Sequence, residues 1–204
     1  DELKIENSAI AFSNELFDAQ PFEHLRYENG SWQQLGLDPD EKILDVNMGQ
    51  AAEEVQKLLG KHFAHGATVD VSLSSLELLR KMCAGKWKGV FVAFDYGISL
   101  AELVEQPRPT GRAYHQHRQL SMAEGLALPM GSYDITHHVV WDFLAQALAE
   151  NGFHVHPVFT QESFFVNYAQ HIFPTLDENE RRQLATLLHP AHMGAKFQVL
   201  MAVR

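Results

Sequence analysis

Two short apolar runs, each stopping abruptly at acidic or amide residues, limit the fold most. Ala9-Ile10-Ala11-Phe12 runs into Ser13-Asn14-Glu15, and Val90-Phe91-Val92-Ala93-Phe94 runs into Asp95-Tyr96-Gly97. Apolar runs of this length without polar alternation suit strands covered on both faces, the pattern of a parallel sheet. In open α/β sheets ligands sit beyond the carboxyl ends of the strands, so Asn14, Glu15, Asp95 and Tyr96 are expected to gather on one rim.

The chain between these runs reads as a crossover unit carrying a hairpin. Leu25–Glu28 and Ser31–Leu35 flank Asn29-Gly30, a dipeptide that supplies the positive φ angles of a tight turn, so a hairpin insertion is expected over about 24–36. Gln50 to about Phe63 places Val55, Leu58, Leu59 and Phe63 on one helical stripe. A second helix is expected from the Ser74/Glu77 capping pattern to Gly85. Residues 105–132 hold Pro107, Pro109, Gly111, Gly125, Pro129 and Gly131 and read as a long lid-like loop. Beyond it the sequence predicts a helix capped by Thr136 and stopped at Asn151-Gly152, a strand near Val155–Phe159 and a helix from Gln161. A helix with an Asp177/Glu180 cap and a last strand over Phe197–Val203 complete the series.

Composition narrows the function classes. The 204 residues suit a single domain over 1–204. A formal net charge of −10 repels a phosphate backbone, which argues against nucleic acid as a partner. Cys83 is the only cysteine, so no intramolecular disulfide can form and a reducing compartment fits. No apolar run approaches the roughly 18 residues of a membrane span, and the opening Asp-Glu-Leu-Lys-Ile-Glu lacks the character of a signal peptide.

Several motifs carry chemistry only weakly. The twelve histidines include the pairs His115/His117, His137/His138, His154/His156 and His189/His192, yet no His-Glu-x-x-His and no cysteine pair complete a metal site, so no metal is expected. Cys83 lies near the core stripe of its helix and reads as an inert buried thiol. There is no Gly-x-Ser-x-Gly and no phosphate loop. The stretch Asn14-Glu15-Leu16-Phe17-Asp18-Ala19-Gln20-Pro21 is the densest polar cluster after a predicted strand. Local spacing favours a strand-to-loop turn with an Asx-type cap; the alternative is that Glu15 and Asp18 present carboxylates to a cationic substrate beside the Asn14 amide.

In order along the chain, several pieces resemble one family. They are Asn14–Pro21, Phe94-Asp95-Tyr96-Gly97, Arg112-Ala113-Tyr114 with His117, and Asp134-Ile135-Thr136-His137-His138-Val139. Thr160-Gln161 with Phe164 and Phe165, and Met193-Gly194 with Phe197 and Leu200, extend the series. Together they are similar to the MidA-like class I S-adenosylmethionine-dependent methyltransferases, whose mitochondrial members act in assembly of respiratory complex I. Gln20, Phe22, Thr110-Gly111 and Val140-Trp141-Asp142-Phe143 depart from the family pattern.

The resemblance implies a Rossmann-like α/β sheet, mixed and mostly parallel, of which this chain is the C-terminal portion, with the N-terminal cofactor-binding strands missing from it. It implies S-adenosyl-L-methionine as cofactor and a protein arginine side chain as substrate, with complex I assembly as the setting for mitochondrial members. A bacterial cytoplasm or a mitochondrial matrix is the implied location, and a homodimer is compatible with it. On this reading Glu15, Asp18 and Asn14 are catalytic, Asn14 also touches the cofactor, and Asp95, Tyr96, Arg112, Tyr114, His117, Asp134 and His138 bind substrate. The competing reading is a non-catalytic binding or assembly module that lacks the cofactor half.

Overall fold

The computed structural model describes residues 7–37, 43–49, 51–85, 87–116 and 118–204. In chain order the first half contains β1 (Ser8–Asn14), β2 (Glu23–Glu28), β3 (Ser31–Leu37), β4 (Ile43–Val46), α1 (Ala51–Leu59), β5 (Thr68–Val71), α2 (Leu73–Cys83) and β6 (Lys88–Asp95). Then come β7 (Gly97–Ile98), α3 (Leu100–Glu105), β8 (Arg112–His115), β9 (Arg118–Leu120), α4 (Met122–Leu126), β10 (Asp134–Thr136) and β11 (Val139–Val140). The chain closes with α5 (Trp141–Glu150), β12 (His154–Val155), β13 (Phe159–Thr160), α6 (Gln161–Ala169), α7 (Glu178–Leu188) and β14 (Gln198–Val203). These form two compact units: Asp1–Leu16 with Arg80–Gly97 and Ala145–Arg204, and Phe17–Leu79 with Ile98–Leu144.

The first unit is built on a mixed sheet in the order β1-β6-β14-β12, with β13 also pairing β14. β1 and β6 are parallel, Ser8 opposite Lys88 and Asn14 opposite Phe94, while β14 runs antiparallel to β6. Burial of β6 on both faces follows from its unbroken apolar sequence and its central place. β1, at the end of the sheet order among the described residues, departs from that expectation: Ile10 and Phe12 on one face are 78% and 65% exposed while Ala11 and Ser13 on the other are buried, so only one of its faces is covered. On one side Val92, Phe94, Phe197, Val199 and Met201 make a core, onto which α6 lays Phe164 and Phe165 with ring centroids 5.2 and 5.8 Å from Phe94. The Arg204 guanidinium donates to the carbonyls of Trp87, Asn151 and Gly85 and lies over the Trp87 and Phe153 rings, so one cation satisfies the ends of several elements.

The second unit holds a four-stranded antiparallel sheet, β4-β3-β2-β5, and a three-stranded one, β10-β8-β9. The β2–β3 turn places Asn29 at φ 51° and Gly30 at φ 84°, the backbone its dipeptide predicts. Tyr27, Trp32 and Phe63 pack ring on ring beside the buried Val55 and Leu59 of α1. Three local expectations are corrected. The α2 helix starts at Leu73, and its cap is Ser72, whose Oγ accepts from the Ser75 N–H at 3.0 Å; Ser74 already lies inside the helix. Thr136 ends a strand, opposite Arg112, and α5 begins only at Trp141, because the cross-strand ladder outcompetes a cap there. The stretch read as a lid-like loop over 105–132 contains the β8–β9 hairpin and α4, the latter opened by a reciprocal Ser121/Glu124 capping box.

Candidate functional site

At the carboxyl ends of β1 and β6 the first unit gathers four of the residues singled out from sequence. Glu15 leaves the strand in the left-handed region, at φ 50°, with its N–H on the Phe94 carbonyl at 3.0 Å. A non-glycine residue held there is strained by about 1–3 kcal/mol, a cost that persists only where the surroundings impose it. The Asn14 amide donates to Glu15 Oε1 at 3.1 Å, and both side chains are exposed. Asp95 is fully buried opposite Gln198, and the next ring, Tyr96, stacks on Phe197 with centroids 4.1 Å apart. The rim therefore presents an open carboxylate and amide above a buried acid.

Other predicted site residues lie in the second unit. Asp18 is 1% exposed, so its carboxylate is interior to that unit, contrary to the expectation of an acid open to substrate. Its stretch is fastened to the start of α2, where Ser72 and Ser75 donate to the carbonyls of Pro21 and Phe17, and the Asp18 carbonyl accepts from the His137 N–H at 3.0 Å. Arg112 and Tyr114 stand on β8 opposite Thr136 and Asp134 of β10. His117 lies outside the described residues.

Sequence reasoning missed the residue that organises this region. Asp70, on β5, is 2% exposed. One oxygen meets His24 Nδ1 at 2.7 Å, and the other accepts from the N–H groups of Thr110 and Gly111 at 2.6 and 2.7 Å. Thr110 passes the connection on, its Oγ1 accepting from the His138 N–H at 3.0 Å. An acid within a strand normally reads as solvent-facing, and its alternation with Val69 and Val71 only reinforced that reading.

The same unit carries an open cavity of about 740 Å³. Its walls come from residues 19–22 and His24, from Gln34 and Leu35 of β3, from Met122 and Leu126 of α4, and from β10 and its approach. Such a volume accommodates a small molecule or a large side chain.

Burial pushes His138 down to about 4, helped by the positive charges of Arg112 and Arg108, and burial lowers His137 too. Both are thus neutral when folded and, with an ordinary value of 6.5, more basic when unfolded. Below pH 6.5 the unfolded chain binds more protons, so stability is intact above that value and falls as pH drops towards about 4. Thermal unfolding between pH 7 and 5 should show this decline, and His138→Gln should flatten it; an unaltered slope in that variant would remove His138 from the account.

Residues 1–159 match the model of the family described as "Putative S-adenosyl-L-methionine-dependent methyltransferase". The chain belongs to this methyltransferase family. A COG1565 superfamily member from Burkholderia thailandensis, crystallised with S-adenosyl-homocysteine bound, superposes with a TM-score of 0.77 at 21% identity, over 100% of this chain and 55% of that one. A second Burkholderia thailandensis structure, of a COG1565 superfamily protein, gives 0.77 at 21% identity, over 99% and 57%. The methyltransferase chain thus shares their fold and spans a little over half their length. No curated protein matches it in sequence.

The cofactor of the family is S-adenosyl-L-methionine. The rim suits part of that molecule. The exposed Asn14 amide oxygen is an acceptor, which matches a ribose hydroxyl or an α-ammonium group. Among the described residues no group of three or more His, Cys, Asp or Glu side chains is placed to hold a metal ion, and no helix is long and apolar enough to cross a membrane.

Proposed function

We propose that the protein methylates an arginine side chain of another protein, with the Asn14-Glu15 rim as the site of transfer. The observation that carries this is Glu15: an exposed carboxylate fixed just past the end of a parallel strand, held in a strained backbone conformation and steadied by the Asn14 amide. When bound, S-adenosylmethionine supplies an electrophilic methyl group on a sulfonium. The chain's task is then to hold the acceptor. Two charge-assisted N–H···O bonds from a guanidinium to Glu15 would fix its plane and leave one terminal nitrogen directed at the methyl carbon. Glu15 would hold the guanidinium while its terminal nitrogen accepts the methyl group and loses one proton to solvent. The Asn14 amide donates to the Glu15 carboxylate, which leaves its oxygen to accept from the cofactor's donors, and Asp95 lies buried at the neighbouring strand end.

The test uses methyl-labelled S-adenosylmethionine with the full-length protein and an arginine-containing protein extract, followed by hydrolysis and amino-acid analysis. Label in methylarginine is the expected result. Label in another residue refutes the arginine assignment. Binding of S-adenosylhomocysteine with no transfer to any protein favours the non-catalytic module.

A further inference from the structure

The cavity of the second unit combines three properties that the transfer site does not use. Its lining contains no lysine and no arginine among the described residues, yet it includes Asp134, Gln20, Gln34, Thr136 and His24, all able to accept hydrogen bonds. The rest is chiefly apolar, with Phe22, Leu35, Leu126 and Ile135 forming walls that fit a hydrocarbon stem. Met122 and Met130 line it too, and Met130 is 97% exposed, an adaptable edge for a variable guest.

His24 gives the cavity a directed acceptor. Its Nδ1 faces Asp70 Oδ1 at 2.7 Å. The other oxygen of Asp70 already receives two backbone N–H groups, so the carboxylate accepts from Nδ1–H and selects the Nδ1-protonated tautomer whenever the ring is neutral. In that tautomer Nε2 is the acceptor, and among the described residues the ring's hydrogen bond is the one through Nδ1. Asp70 orients the ring by fixing its tautomer, as a positioning residue.

From this combination we infer that the cavity is a recognition pocket for a cationic side chain on an aliphatic stem. The cation's donors would meet His24 Nε2 and the Asp134 carboxylate, and its stem would lie along the apolar walls. Phe22 and Tyr133 add aromatic rings to the lining, groups that attract a cation. The chain's formal net charge of −10 favours a basic partner in the same sense. That the side chain is carried by the protein substrate rests on the function proposed above; the pocket chemistry does not. The residue recognised is distinct from the one methylated, so the substrate would carry a further basic residue beside its target arginine.

The six methionines allow a direct reading. With methyl-labelled methionine, Nα-acetyl-arginine methylamide and its lysine counterpart would be titrated into the protein, alongside the citrulline analogue, which keeps the shape and loses the charge. The expected result is a saturable shift of Met122 and Met130 with the cationic probes, an undisturbed buried Met201, and binding at least tenfold weaker with citrulline. Stronger binding of the arginine or of the lysine probe identifies the natural cation. Asp134→Asn, at an exposed position, should weaken the cationic probes about tenfold. His24→Gln tests the second acceptor, with Asp134→Asn as the safeguard if that variant unfolds. Citrulline binding as tightly as arginine, or no shift at Met122 and Met130, overturns the pocket. Protein arginine methylation that survives Asp134→Asn with unchanged KM would refute the pocket's role in substrate choice and leave the transfer reading standing. Cationic binding with no methylation of any arginine would do the reverse.

Discussion

Gly89→Ala should unfold the first unit or reduce its stability by more than about 4 kcal/mol, at the far end of what single substitutions do. Gly89 sits within β6 at φ +141°, where an L side chain is strained, and a Cβ there would lie 1.9 Å from the Ala9 carbonyl oxygen. That oxygen is backbone of the paired strand, so no side-chain rotation relieves the overlap. The same residue exchanges backbone hydrogen bonds with Arg204, its N–H donating at 2.8 Å and its carbonyl accepting at 3.0 Å. Separating β1 from β6 would therefore disturb both neighbours of the central strand. Against a total stability of about 5–15 kcal/mol the variant should be largely unfolded or melt more than 10 °C lower, since about 1 kcal/mol shifts Tm by roughly 2–4 °C at this size. Gly131→Ala is the control. Gly131 also has positive φ, +83°, but nothing lies within 4 Å of its added Cβ, so the cost should stay near 1 kcal/mol. Equal unfolding midpoints for the two variants would refute the steric account.

Glu15→Gln should lower methyl-transfer turnover of the full-length protein by about 10²–10³-fold, the range seen when one charge-stabilising contact is removed from a transition state. Gln keeps the shape and the amide acceptor but loses the charge, so a guanidinium is held by weaker, neutral hydrogen bonds. Folding should hardly change, because the Glu15 side chain is exposed and its hydrogen bond is to the neighbouring Asn14 amide. Glu15→Gly adds a second readout. It relieves the φ of 50° and should raise stability slightly while abolishing the carboxylate. Stability and turnover would then move in opposite directions, which a merely structural residue could not produce. Turnover of Glu15→Gln within twofold of the natural protein would remove this residue from the mechanism.

What could be read in advance was chemistry written within a few neighbouring residues. The parallel partnership of β1 and β6, the turn at Asn29-Gly30 and the cap at Asp177 with Glu180 each follow from local sequence, and the structure places them so. Family membership was legible for the same reason, through short motifs kept in order. The β8–β9 hairpin and α4 were hidden because Pro and Gly punctuation around them reads as loop, although Ser121 and Glu124 carried the signature of a helix start. Asp70 and the cavity were hidden for a deeper reason. Asp70 meets groups 40 and 46 positions away, and the cavity walls come from segments more than 100 residues apart, so no window of sequence contains either arrangement.

The order of the strands also governs when the central sheet can come into being. β6 finds its parallel partner 80 positions back, at Ser8 opposite Lys88, and its antiparallel partner more than 100 positions ahead, at Val203 opposite Val90. Hairpins such as β2–β3, whose innermost partners are three positions apart, close within microseconds. Pairings across such long separations must first meet the entropy of closing a large loop, and they form slowly. During synthesis the antiparallel sheet holding β2 and β3 can assemble early, whereas β6 stays one neighbour short until residues 198–203 have emerged. Until that moment its unpaired backbone edge is exposed to other nascent chains, and that interval is where misassembly of this protein would begin.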